Sequence, residues 1–223
     1  LSAVGRLLKN LGLSPQKPMK KAYEQSSSKV KVWLKEEYPK IQERAKATRS
    51  EIQWGDEMGI RSDDQIGRTY GRRGHTPVVK VTGKRFRTNM ISSITNRGKL
   101  RFMVFKERFT ASVFIDFLRR LIKGIKNKIF LIVDGHPVHK SKAVKTWIQE
   151  NGNKIEIFLL PAYSPELNPD EYLNQDIKQH TRKTRPQDQD EMVIELRSYL
   201  KKNQKNPEKI KNFFQAEKVK YAA

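Results

Sequence analysis

The chain has 223 residues, no cysteine, and 46 Lys+Arg against 24 Asp+Glu, giving a formal net charge of +22. Disulfides and thiolate metal sites are thereby excluded, and no apolar run approaches the roughly 18 residues that a membrane span requires. The length suits one domain with a small appendage, and so basic a chain calls for a polyanionic partner, because phosphate neutralisation releases counterions.

In chain order, Ser2 can cap a short helix over Ala3 to Asn10, with Val4, Leu7, Leu8 and Leu11 on one face and Gly12 ending it. Pro15 and Pro18 lead into the Lys-rich segment Lys17-Pro18-Met19-Lys20-Lys21. A long helix from about Ser27 to Ala47 follows, with Val30, Trp33, Leu34, Tyr38 and Ile41 at helical spacing. A strand is expected over Glu51 to Asp56. Residues 59–88 then form a basic excursion with eight Lys/Arg and two acids, punctuated by Gly67, Gly71, Gly74, Pro77 and Gly83. Strands over Asn89–Thr95 and Leu100–Lys106 meet across the hairpin signal Asn96-Arg97-Gly98. A helix over Thr110–Lys126, a strand over Lys128–Val133, a helix over Ser141–Asn151 and a strand over Lys154–Leu160 come next. A helix opens at Pro169, another covers Gln189–Lys202, and a basic C-terminal piece closes the chain. The order β-β-β-α-β-α-β-α predicts an antiparallel unit joined to parallel strands, a mixed sheet with helices on both faces.

Ligands of such sheets sit outside the carboxyl ends of the strands, where Asp134 falls. Asp56 ends the first strand, Asp134 the fourth, and Glu171 starts the helix that follows Asn168-Pro169. Three converging carboxylates suit Mg²⁺ or Mn²⁺ rather than zinc, and two such ions can drive an in-line phosphoryl transfer. Glu171 also has a structural alternative, since Glu at N3 can close a capping box onto Asn168. His136 and His139 lack a third soft ligand at zinc spacing; His139 either orients Asp134, touches a phosphate or is an ordinary surface histidine. Lys178, two turns beyond Glu171, either meets the scissile phosphate or is simply solvated. Arg72-Arg73-Gly74 and Lys84-Arg85-Phe86-Arg87 read as backbone-contacting loops.

The strings Asp56-Glu57-Met58-Gly59, Gly71-Arg72-Arg73-Gly74-His75-Thr76-Pro77, Val133-Asp134-Gly135-His136-Pro137-Val138-His139, and Leu159 through Tyr163-Ser164-Pro165-Glu166-Leu167-Asn168-Pro169-Asp170-Glu171 occur in one order across about 50–180. In these pieces the chain resembles the DDE transposases of the mariner-like superfamily, in the branch carried by bacterial insertion sequences. The resemblance implies an α/β, RNase H-like mixed five-stranded sheet, three strands antiparallel and the rest parallel, flanked by helices. It also implies cleavage of transposon ends and strand transfer into target DNA, with two Mg²⁺ or Mn²⁺ ions held by Asp56, Asp134 and Glu171. Some relatives use Asp in third place, where Asp170 is adjacent, but the Asn-Pro-x-Glu string points to Glu171. Arg72, Arg73, Lys84, Arg85, Arg87, His139 and Lys178 are the implied DNA contacts.

Two departures stand out: Gly135 where relatives usually have Asn, and Asn174 where they commonly have Trp nearby. The implied organisation is the end of an incomplete helix-turn-helix unit over 1–20, a linker helix over 21–49, the catalytic domain over 50–185 and a helical extension over 186–223. The absence of an initial Met leads us to expect a fragment of something longer. Terminal inverted repeats and target DNA are the implied partners, a homodimer the implied assembly, and a bacterial cytoplasm, at the nucleoid, the implied location. Two other readings stay open at this level: a DNA-binding protein descended from such an enzyme but inactive, and an RNase H-like nuclease acting on RNA–DNA hybrids.

Overall fold

A computed structural model of the chain describes residues 2–14, 22–64, 70–76, 78 and 82–223. The readings placed on 15–21, Gly67 and Pro77 fall outside these residues.

The first helix, α1 (Ala3–Asn10), forms as its cap predicts, with the Ser2 hydroxyl accepting from the Gly5 amide. Its apolar face, Val4, Leu7, Leu8 and Leu11, is exposed. The single long helix expected over Ser27–Ala47 is instead two, α2 (Ser27–Val32) and α3 (Tyr38–Ala47), joined by a π-helical turn over Trp33–Glu37. Pro39 is the cause. It has no N–H for the carbonyl of Lys35 and its ring crowds that carbonyl, so the preceding turn widens and the Tyr38 amide bonds back to Trp33.

Five strands build one sheet in the order β3-β2-β1-β4-β5: β1 (Glu51–Arg61), β2 (Arg87–Ile94), β3 (Leu100–Phe105), β4 (Ile129–Val133) and β5 (Ile155–Leu159). β1 pairs antiparallel with β2 and β2 with β3, whereas β1–β4 and β4–β5 are parallel, which is the expected mixed sheet. β1 runs five residues past its expected end at Asp56, because β2 continues to pair with it out to Arg61↔Arg87 after β4 has stopped. The neck of the basic excursion is tied by the Ser62 hydroxyl, which donates to the Lys84 carbonyl at 2.9 Å and accepts from the Phe86 amide at 3.1 Å.

Alternation along the strands gives two cores. On one face, α4 (Ala111–Ile122) and α5 (Lys142–Glu150) cover Ile91, Met103, Leu131 and Val133. On the other, α3, α6 (Asp170–Thr184), α7 (Gln189–Gln204) and α8 (Pro207–Phe213) cover Trp54, Met90, Ile94 and Ile132. The basic C-terminal piece thus holds a helix, α8, that its charge masked; Ile210 and Phe214 carry it into the core, and Val219 and Ala222 follow.

Candidate active site

The parallel register of β1 and β4 sets Trp54 opposite Ile132, so two residues further on Asp56 reaches the level of Asp134. β4 has ended there, and the backbone turns through a 3-10 segment, Pro137–Lys140. α6 approaches from the other core, held by a fully buried connection. The Asn168 amide donates to the Gly55 carbonyl at 3.1 Å, while its oxygen accepts from the Asp170 amide, also at 3.1 Å. Asp56, Asp134 and Glu171 consequently line one cavity of about 460 Å³, together with Gly135, His136, Lys140 and the turn around Tyr163.

Each carboxylate is supported differently. Asp56 is buried; its Oδ2 accepts from the amide of Asn174 at 2.8 Å and its Oδ1 from the Glu57 backbone N–H at 3.0 Å. Burial pushes its carboxyl well above the usual range, and repulsion from Glu171, Asp170, Glu57 and Asp134 adds to this. Asp134 is held low although burial opposes it, because the His139 ring and the His136 N–H both bond its Oδ1, at 3.1 and 3.0 Å. Glu171 does not form the capping box: among the described residues its carboxylate has no hydrogen-bond partner, and Asn168 bonds the Asp170 amide instead. Asp170 is sealed in the core, 0% exposed, and takes the Ser92 hydroxyl at 2.7 Å. Burial drives its carboxyl well up, and it is tied into the core, whereas Glu171 faces the cavity.

The remaining predicted residues divide. Arg72, Arg73, Lys84, Arg85 and Arg87 are exposed on or beside the excursion. Lys178 lies apart from the carboxylates, in a small basic hollow with Arg61, Arg182 and Arg185. The expectation of His139 as a DNA contact is corrected. Its side chain is only 1% exposed, packed against Phe109 and Phe114, so of the alternatives for this residue it takes the one that orients Asp134. His136 stays at the cavity wall. Where the resemblance expects Trp nearby, Asn174 is buried and serves Asp56 by a hydrogen bond. At Gly135 a Cβ would meet the flexible end of Lys140 at 3.3 Å, so the loop itself does not demand glycine.

Sequence reasoning passed over two residues. In the sequence Glu57 stands only as part of the Asp-Glu string, yet its carboxylate lies 3.7 Å from His139 Nε2 on the face opposite Asp56. Burial lifts it to about 7, with the neighbouring imidazole opposing. The strand period of two gave the available signal, since consecutive acids on a buried strand must face opposite cores. Gln25 was the other: its amide reaches the Tyr163 carbonyl at 2.9 Å and Glu166 at 2.6 Å, bringing the segment before α2 onto the cavity turn. A contact across 138 residues leaves no local trace in sequence.

Residues 51–193 match the family model described as DDE superfamily endonuclease, and residues 1–37 match one described as winged helix-turn helix. The insertion element IS630 uncharacterized 39 kDa protein of Shigella sonnei is 29% identical over 116 residues, covering 51% of this chain and 33% of that protein. The chain therefore spans about a third of the length of that curated relative. Among solved structures, the Mos1 mariner paired end complex with Mn aligns at TM-score 0.73 and 18% identity, over 98% of this chain and 68% of the other. The Mos1 strand transfer complex aligns at 0.71 and 18%, over 98% and 67%, and the Mos1 catalytic domain at 0.58 and 16%, over 92% and 97%. At such identities the likeness establishes a common fold.

Proposed function

The chain belongs to the DDE superfamily endonuclease family, and from that premise we propose that it is a transposase, cutting DNA at transposon ends and joining the freed ends to target DNA. One observation carries the reading. Carboxylates from β1, the end of β4 and the start of α6 line a single cavity without enough cationic partners among the described residues to balance them. The donor set is all oxygen, and burial and then the neighbouring acids push the Asp56 carboxyl up, so a hard divalent cation is the counter-charge that fits. Asp56, Asp134 and Glu171 would hold two Mg²⁺ or Mn²⁺ ions. When bound, such ions activate the attacking oxygen and neutralise the leaving one in an in-line displacement.

The residues of the chain do the rest. Asn174 and His139 fix the carboxylates of Asp56 and Asp134 so that both point into the cavity. Arg72, Arg73, Lys84, Arg85 and Arg87 bind the DNA backbone, and Lys178 meets a phosphate further along α6. The net charge of +22 supports double-stranded DNA as the partner, and the winged helix-turn helix match supports recognition of terminal repeats. Solved structures described as paired end complexes support a homodimer acting on two ends; the bacterial insertion-sequence resemblance is what supports work in the cytoplasm at the nucleoid.

The test is a nicking assay on DNA carrying the element's ends, with Mg²⁺, Mn²⁺ or Ca²⁺. Asp134→Asn is expected to abolish Mn²⁺-dependent cleavage while leaving DNA retention in a gel largely intact. Full cleavage by that variant would remove the assignment. Cleavage of RNA–DNA hybrids without any joining would favour a nuclease instead.

A further inference from the structure

β1 presents Asp56 to one core and Glu57 to the other, so the second acid lies behind the cavity rather than in it. Glu57, Asp134 and His139 form a cluster with ligand atoms within 4.8 Å of one another, which at first sight invites a metal ion. The ring geometry argues against one. His139 offers Nδ1 to Asp134 and Nε2 to Glu57, and the two nitrogens of one imidazole point away from each other, so a single ion cannot take both contacts. The arrangement is a chain, carboxylate to imidazole to carboxylate.

The partners decide the tautomer. Nδ1 lies 3.1 Å from Asp134 Oδ1 and 3.2 Å from the Asp134 carbonyl. Both of these are acceptors, so Nδ1 must carry the hydrogen. This one ring nitrogen therefore ties the side chain of Asp134 to its own backbone. At the far end, Nε2 and Glu57 Oε2 are both buried without a hydrogen-bond partner among the described residues, and they face each other at 3.7 Å, one small shift short of a bond. Phe109 and Phe114 wall the ring, with centroids 5.7 and 4.6 Å away. Among the described residues, no other polar group is bonded to Nε2 to stop the imidazole from turning over and presenting the wrong side to Asp134.

We propose that Glu57 is a positioning residue for Asp134, acting through His139: its carboxyl and Nε2 share one hydrogen between them, and the ring so anchored aims the Asp134 carboxylate into the cavity. This rests on the reading of Asp134 as a metal-holding residue, and it assigns the second acid of the Asp-Glu string to the support of the other strand's acid. Outer partners of this kind typically govern metal affinity by about 10–100-fold.

The experiment measures Mn²⁺ binding by electron paramagnetic resonance on the full chain, with cleavage as a function of Mn²⁺ alongside. Glu57→Ala is expected to weaken Mn²⁺ binding by about 10–100-fold and to raise the Mn²⁺ needed for half-maximal cleavage, with a smaller change in rate at saturating Mn²⁺. Glu57→Gln, which keeps a hydrogen-bonding group of the same shape, should recover most of the affinity. His139→Asn, which keeps a donor near the Nδ1 position, should lose less than His139→Ala. Parental affinity in Glu57→Ala together with a lost affinity in Asp134→Asn would overturn the positioning role and leave the metal reading standing. Parental affinity in Asp134→Asn would overturn the metal reading itself. Should the alanine variant fail to fold, the ¹⁵N shifts of the His139 ring in the unaltered chain decide: hydrogen on Nδ1 is required, and a ring carrying it only on Nε2 refutes the proposal.

Discussion

Asn168 uses both ends of its amide, donating to Gly55 on β1 and accepting from Asp170 at the head of α6, and it is 2% exposed. That one side chain sets how far Glu171 stands from Asp56. Asn168→Ala leaves a buried carbonyl and a buried N–H without partners, so a loss of about 1–3 kcal/mol in urea unfolding is expected. Asn168→Asp, which keeps the acceptor but not the donor, should lose less than the alanine change. Equal stability in Asn168→Ala and the parent would show that the loop is held by something else. At this scale the acids themselves were legible, because a carboxylate ending an apolar strand stands out against its surroundings. Their supports were not. Asn174 and Asp56 are 118 residues apart, and no local pattern distinguishes a helical Asn that reaches a strand from one that faces water.

Among the elements, the hairpin between β2 and β3 carries the tightest steric requirement. Gly98 has φ +86, and a Cβ there would lie 2.5 Å from the Pro207 carbonyl oxygen at the start of α8. Gly98→Ala therefore meets both backbone strain and a rigid neighbour, and a loss of about 1–3 kcal/mol is expected by thermal or urea unfolding. Pro207→Ala keeps the carbonyl oxygen, Cα and Cβ that the new methyl would meet, so the double variant should be no more stable than Gly98→Ala, and full recovery would refute the clash with α8. The strand and helix periods predicted nearly every element here, since each buries one face and so carries its period in the sequence. The failures have identifiable causes. Pro39 broke the long helix into two through a π turn, and β1 outran its expected end because β2, far along the chain, supplied the pairing.

At the scale of the whole molecule, the last residues lock onto the first described domain elements. Tyr221 accepts from the Trp33 indole at 3.1 Å and donates to the Leu167 carbonyl at 2.8 Å, with Tyr38 and Trp54 packed around it. The linker helices, the sheet and the turn before α6 thus meet in one aromatic cluster. Burial raises Tyr38 from 10.0 to about 12, with a bond to Gln42 opposing, and burial raises Tyr221 as well. A phenol whose folded pKa lies above its unfolded one contributes stability that is complete below pH 10 and is lost as pH rises to about 12. Stability should therefore fall steeply over that window, and Tyr38→Phe should make the fall shallower when followed by denaturant midpoints against pH. An unchanged slope would mean that the cluster opens before the phenols ionise. By itself the sequence determined the strand and helix periods, the basic character, and the acids on one strand, at the tip of another and at the head of a helix, because burial and charge leave their mark residue by residue. Only the tertiary structure decided which core each acid faces, that Asp170 is sealed while Glu171 looks into the cavity, and that Glu57 meets Asp134 through His139. Those choices depend on where crossovers return the chain, and contacts closed across tens or hundreds of residues are written in no local spacing.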